Sequence, residues 1–247
     1  MKTIIIIALV LFVSGYLFVR WANAPENVAA LQQKRRIDAA DQENVLQERA
    51  KEQVVIREKI AALPCVIHED FKANKFTQLH SLDSRTFRFE NNEAIYSNVV
   101  TQGQLANAYF ALSEQSFTDF VAEIEFEISG EILKCGIVWD CQLEPSEQGA
   151  YPSNFQGVYS GPSTYIVQTN ERVDRLIGGY FSVFRKQKVR VERIGQNVKA
   201  TLNDKVLYDK KIDQQSKGKV GIYVTHSGGV KYPTTIYCHI KSFKVFG

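Results

Sequence analysis

No run of positive charge longer than Lys34-Arg35-Arg36 occurs in this chain of 247 residues, and 30 lysines and arginines face 27 acidic residues, for a formal charge of +3. Nucleic-acid binding needs a clustered basic footprint, so nucleic acid is not an expected partner. Histidine is scarce, and His68, His80, His226 and His239 lie far apart with no metal-ligand spacing. There is no Gly-rich phosphate loop, no nucleophile elbow and no dense Asp/Asn cluster of the calcium-binding kind. Neither a metal nor a cofactor is therefore expected. Between Pro25 and Leu63 glycine is missing and proline does not recur, which removes the usual helix breakers from that segment.

What is present is enough apolar material for one sizeable core, with 45% hydrophobic and 23% charged residues. The N-terminus is different in kind. Between Lys2 and Arg20 the chain reads TIIIIALVLFVSGYLFV, roughly 24 Å of helix at ~1.5 Å per residue, with Trp21 placed as an interfacial anchor. A retained single-pass anchor is the expectation for residues 1–24. The alternative is a cleaved signal peptide, since Ala22-Asn23-Ala24 has the small-x-small form, although Pro25 opposes a cut there. Positive charge after the span favours a cytoplasmic C-terminal part. Four cysteines in a β-rich region suit an oxidising compartment, and export of the C-terminal part is the reading taken, with a secreted protein as the alternative.

Residues 25–64 are rich in Ala, Gln, Glu, Lys and Arg and predict a helical stalk ended by Pro64. Val28, Leu31, Val45, Leu46, Val54, Ile56, Ile60 and Leu63 keep no clean heptad, so a solvated spacer and a self-associating coiled coil both remain open. From residue 65 onward the period changes to two. Short runs such as TFRFE, FVAEIEFEI, CGIVWDC, TYIVQT, KVRVERI and KVGIYVT alternate with turn residues, among them Asn91-Asn92 and Asn203-Asp204. Many short strands without helix-length patterns between them predict an all-β sandwich or jelly roll over residues 65–247.

The order FRFENNEAIYSN, SFTDFVAEIEFEI, CGIVWDC, YIVQTN, KVRVERIGQNVKATLNDKVLYDKKI, GKVGIYVTHS and CHIKSFKVF resembles the concanavalin A-like lectin/glucanase jelly rolls. Within that superfamily it is similar to laminin-G-like and 3-keto-disaccharide hydrolase-like domains. The resemblance implies a concanavalin A-like β-sandwich. In the hydrolase-like relatives, the YIVQTN strand would carry an acidic residue beside its tyrosine, and the strand before it an arginine. Here Ile166 follows Tyr165 and Trp139-Asp140 stands at the arginine's place, leaving Asp140, Gln168 and Asn170 as the polar residues near such a site. The resemblance also implies neighbouring termini, which points to Cys65 with Cys238 as a disulfide. Cys135 and Cys141 share one parity of an apparent strand and would lie ~20 Å apart, too far to bridge.

AEIEFEI, residues 122–128, sets Glu123, Glu125 and Glu127 at alternate positions. It looks like the E-I-D-x-E signature of the glucanases on this fold, which cleave glycosidic bonds with two carboxylates ~5 Å apart. Strand residues four apart lie roughly 13 Å from one another, and the signature belongs on the strand after CGIVWDC rather than before it. The expectation is therefore a polar strand face opposite an apolar Ile124, Phe126 and Ile128.

The segment 142–164, QLEPSEQGAYPSNFQGVYSGPST, is rich in Pro, Gly and Ser and reads as a long loop, and long loops in compact domains often carry function. Tyr151, Phe155 and Tyr159 could stack on sugar rings, with Asn154, Trp139 and Gln168 beside them as a glycan-binding set. The reading that follows is a membrane-anchored, exported jelly roll that binds glycans or acts in adhesion without catalysis. Two alternatives stand beside it, a sugar-processing glycoside hydrolase on the same fold and a structural subunit of a surface assembly. Alkaline carbonate washing tests the anchor: the full-length protein is expected to stay with membranes, and a mature soluble chain beginning at Pro25 overturns it.

Overall fold

The period-two runs fold as their alternation requires. The computed structural model describes residues 24–83, 86–130, 132–146, 149–161, 164–168, 173–177, 186–212, 216–227 and 230–247. Side chains at 26, 27, 31, 143–146, 149–154, 164–168 and 173–177 lie outside the description. The chain divides into two compact units, Met1–Glu58 and Lys59–Gly247. The first contains most of α1 (Pro25–Ala62), as the missing glycine and proline predict, and it exposes Ile37, Val45, Leu46, Val54 and Val55. Among the described residues no helix is long and apolar enough to cross a membrane. The expected membrane helix at 1–24 lies outside the described residues except for Ala24, so the structure gives it no support.

The second unit is a sandwich of two antiparallel sheets. Sheet A runs in the order β13 (Lys205–Lys211), β12 (Asn197–Leu202), β11 (Gln187–Ile194), β6 (Phe120–Ser129), β15 (Thr234–Phe246), β4 (Glu93–Val100) and β3 (Phe87–Glu90), with β1 (Cys65–Glu69) also paired to β15. Sheet B runs β10 (Val173–Ile177), β9 (Thr164–Gln168), β8 (Gly149–Ser160), β7 (Leu133–Ser146), β14 (Gly218–His226), β5 (Asn107–Phe117) and β2 (Leu79–Ser81). The inner faces interlock into one core, with Ile124, Phe126 and Ile128 of β6, Val189 and Val191 of β11, and Leu133, Ile137 and Trp139 of β7 all buried. Consecutive strands pair in β3–β4, β11–β12–β13 and β7–β8–β9–β10, and non-sequential neighbours, such as β6 between β11 and β15, make the rest of the pairing long-range.

Turn chemistry is where the sequence places it. Asn203 and Asp204 take φ of 49° and 64°, the left-handed pair a tight hairpin needs, and join β12 to β13. Asn203 also reaches β11, accepting the Lys188 amide on Oδ1 at 2.8 Å. The segment expected as a loop is instead a hairpin, because β7 and β8 remain paired from Cys135–Ser160 out to Ser146–Gly149, with register shifts around Gln142. Pro152, Gly149 and the serines disfavour strand by propensity, but continuous pairing with β7 overrides it.

One interruption in β7 decides which side chains face out. Asp140 has φ of 55°, and the β7–β8 register shifts beside it, so Trp139 stays inside while Cys141 joins the outer face. The parity expected for Cys135 and Cys141 is thereby broken, and they sit on opposite faces of one strand. The buried Asp140 carboxylate is held across the sandwich by Arg193 of β11, which has no exposure, and it accepts from Gln156 Nε2 at 2.7 Å and from the Ser216 hydroxyl. Arg193 also donates to the Ser216 carbonyl at 2.8 Å. Removing one partner leaves the other charge buried, so Arg193→Ala is expected to cost about 3–5 kcal/mol in denaturant unfolding. A loss below about 1 kcal/mol would show that the pair does not hold the sheets together.

Candidate functional site

The sandwich has two outer faces, and the carboxylate row lies on that of sheet A. Glu123, Glu125 and Glu127 lie on the outer side of β6, opposite the buried Ile124, Phe126 and Ile128. They are matched by cations on the neighbouring strands. Glu123 pairs with Arg190 and with Lys188 at 3.2 Å, Glu125 with Lys186 at 2.5 Å, and Glu127 approaches Lys241 at 3.9 Å. Arg190 in turn holds Glu192 at 2.7 Å, and Glu93 takes both His239, at 2.7 Å, and Lys241. Burial pushes the Glu123 carboxyl up, but hydrogen bonds and charge from Arg190 and Lys188 outweigh it and hold the group below its usual value. A carboxylate fixed in its ionised form by two cations is a poor general acid. The row is a cross-strand ion ladder.

The outer face of sheet B is apolar and aromatic. Register places Phe110, Tyr223, Gly136 and Tyr159 in one line across β5, β14, β7 and β8. Gly136 is glycine because a Cβ there would stand 2.1 Å from the Val158 carbonyl oxygen and 2.5 Å from the Tyr159 Cα. Across that gap the Tyr159 and Tyr223 rings meet edge to face at 5.0 Å. Phe110 lies 4.9 Å from Tyr223, and Phe155 lies 5.3 Å from both. Leu112, Val138 and Cys141 complete the cluster, and burial pushes the Cys141 thiol up, which removes it as a nucleophile.

The structure therefore brings Phe155 and Tyr159 together, as their spacing of four on one strand face requires. It adds Phe110 and Tyr223, which sequence reading missed because they come from strands far along the chain. Tyr159 is only 6% exposed and Phe155 half-buried, so Phe155 is the ring that presents surface. Trp139 does not join them: it lies on the inner face, packed 6.4 Å from Phe120. Asn154 pairs in register with Gln142, Tyr151 with Glu144, and Gln168 with Gly157; their side chains lie outside the described residues. Asn170 lies outside them entirely.

The expected pairing of Cys65 with Cys238 does not form. The termini are neighbours, but Cys65 is opposite Phe246, and Cys238 is eight residues further back along β15, roughly 26 Å at ~3.3 Å per residue. Cys65 is exposed, Cys238 is buried in the core, and all four cysteines are free thiols. Among the described residues no three His, Cys, Asp or Glu side chains gather to hold a metal.

No protein-family model and no curated protein matches the chain. Solved structures do. A β-glucanase from Bacillus licheniformis superposes with a TM-score of 0.54 at 10% identity, over 73% of this chain and 97% of that one. A Zobellia galactanivorans protein, LamA, solved with laminaritriose and laminaritetraose gives 0.56 at 11%, over 75% and 100%. A Flavobacterium laminarinase gives 0.53 at 10%, over 74% and 100%. The fold is the concanavalin A-like jelly roll. The glucanase and laminarinase structures among these matches run against the expectation of a non-catalytic glycan-binding or adhesion module.

The ion ladder makes a pH-dependent claim. Because the folded-state pKa of Glu123 lies below the unfolded value of 4.5, its contribution to stability is complete above that value and is lost as pH falls through the folded one. Melting temperatures taken from pH 6 down to pH 3 are expected to fall more steeply for the wild type than for Glu123→Gln. Parallel declines would show that the ladder contributes nothing.

Proposed function

We propose that the jelly roll is a glycan-hydrolysing enzyme that acts on β-linked polysaccharide lying along the outer face of sheet B. The observation that carries this reading is the match to glucanases over nearly their whole length, together with an aromatic cluster on one outer sheet face. Aromatic rings suit the apolar faces of pyranose rings, and Phe155, the ring with free surface, is the proposed stacking contact. Tyr223, in ring contact with Phe110, Phe155 and Tyr159, supports it from beneath.

Hydrolysis of a glycosidic bond needs an acid and a nucleophile or base, and four of the described carboxylates are committed to other contacts. Glu123 and Glu125 are ion-paired on sheet A, Asp140 is buried against Arg193, and Glu69 accepts the Thr77 and Leu79 amides at 2.8 and 2.9 Å. The reading therefore assigns the chemistry to acids in or beside the β7–β8 and β9–β10 hairpins, namely Glu144, Glu147, Glu171 and Asp174, whose side chains lie outside the described residues. We place the enzyme on the outer side of a membrane, tethered by residues 1–24 with α1 as spacer, on the strength of the uncharged N-terminal stretch.

Reducing-sugar release from laminarin and from mixed-linkage β-glucan tests the activity. Turnover is expected in the wild type, with a loss of at least about 100-fold when either of two among Glu144, Glu147, Glu171 and Asp174 becomes the amide. Glu123→Gln and Glu127→Gln are expected to retain full turnover. Phe155→Ala is expected to raise KM several-fold with little change in kcat, because a stacking contact acts mainly on binding. No turnover on any glycan, or turnover that vanishes in the Glu123 and Glu127 variants, overturns the assignment.

A further inference from the structure

The sandwich core contains a second pair of cysteines, which sequence spacing does not reveal. Cys135 on β7 pairs in register with Val224 and Ser160 in sheet B, whereas Cys238 on β15 pairs with Tyr96 and Ile128 in sheet A. Both have 0% exposure and belong to the same core cluster. β15 and β7, although in opposite sheets, approach within 8 Å Cα to Cα, and the Cys135 thiol is near enough to Cys238 to help raise its pKa. Two buried thiols of one core cluster, on facing strands that approach this closely, sit within reach of disulfide geometry, whose Cα separation runs to roughly 6.8 Å. Cys65 is at the far end of β15, and Cys141 faces out of the sandwich, so neither competes for Cys238.

We propose that Cys135 and Cys238 form an inter-sheet disulfide when the protein folds under oxidising conditions. The bond forms by exchange with a small-molecule or enzyme disulfide. One thiolate attacks that disulfide to give a mixed disulfide and releases one thiol. The other cysteine thiolate then attacks the mixed disulfide, forms the Cys135–Cys238 bond and releases the second thiol. Two electrons pass to the donor disulfide, and the two protons leave to solvent or to the released thiols. Burial pushes the Cys238 thiol well above its ordinary value, and no oxidant reaches a fully buried sulfur, so exchange precedes closure of the sandwich. The bond would close a loop spanning most of the sandwich and restrict the unfolded chain accordingly.

The test is peptide mapping of the full chain, unfolded, refolded in a glutathione redox buffer, alkylated and digested without reduction by trypsin and Asp-N. The expected product links CGIVW, residues 135–139, to YPTTIYCHIK, residues 232–241. Cleavage before Asp140 separates Cys135 from Cys141 and makes the assignment unambiguous. The refolded protein is also expected to lose about 5–10 °C in melting temperature on full reduction, a shift absent from Cys135→Ala refolded in the same way. Recovery of both cysteines as alkylated thiols, or of Cys238 linked to Cys65 or to Cys141, overturns the proposal. Mapping of the wild type decides it even where the alanine variant fails to fold.

Discussion

The buried ion pair between Asp140 and Arg193 joins the two sheets, and the arrangement of the outer face of sheet B depends on it. Asp140 occupies a left-handed position that costs a non-glycine residue about 1 kcal/mol or more, and its carboxylate would not be tolerated in a core without a partner. Arg193, Gln156 and Ser216 supply that partner from β11, β8 and the segment before β14. An ion pair of this kind adds little net stability compared with an apolar pair of equal volume. Here it has a geometric consequence. It coincides with the register break that keeps Trp139 in the core and turns Cys141 out beside Tyr223 and Tyr159.

That dependence explains which parts of the molecule could be read from the chain alone. β6, β11 and β12 were legible because each has a core face and a wet face, so period two survives in the residue types. The helix was legible from missing glycine and proline, and the β12–β13 turn from Asn203-Asp204. The β7–β8 hairpin was not, because Pro152 and a run of small residues mask the alternation and a bulge resets the parity halfway along. Phe155 and Tyr159 were singled out with Tyr151, as aromatics of an expected loop. Phe110 and Tyr223 were out of reach, since nothing local shows that β14 lies between β5 and β7. Cys135 and Cys238 were missed for the same reason, and neighbouring termini suggested Cys65 because end-to-end proximity says nothing of register along a strand of thirteen residues.

The glutamate row shows how an apparent catalytic pattern dissolves once pairing is known. Alternate glutamates on a single strand repel one another and look poised for proton chemistry. Sheet A sets Lys188 and Arg190 directly across from Glu125 and Glu123, so the repulsion is neutralised by cross-strand partners. The same register that supplies the partners keeps Glu123 and Glu127 roughly 13 Å apart along an extended strand, too far to flank one bond. Sequence reading reached the right face for these residues and missed their ion pairs, because the cations lie more than sixty positions away.

Identity near 10% alongside a shared fold follows from what each face of a sheet must satisfy. The inner faces need only apolar residues of suitable volume in alternation, and many sequences meet that requirement. Chemistry depends on specific groups on an outer face, where the fold places few demands, so likeness of fold does not transmit a catalytic signature. On this chain the outer face of sheet B carries a packed set of rings around Gly136, with Tyr159 and Tyr223 closed over the strand between them. A glycan resting there would meet Phe155 before any charged group among the described residues of that cluster. Under the proposed hydrolysis, the catalytic acids come from the hairpins at the edge of the sheet, so the ends of β7 to β10, rather than the centre of the face, carry the chemistry.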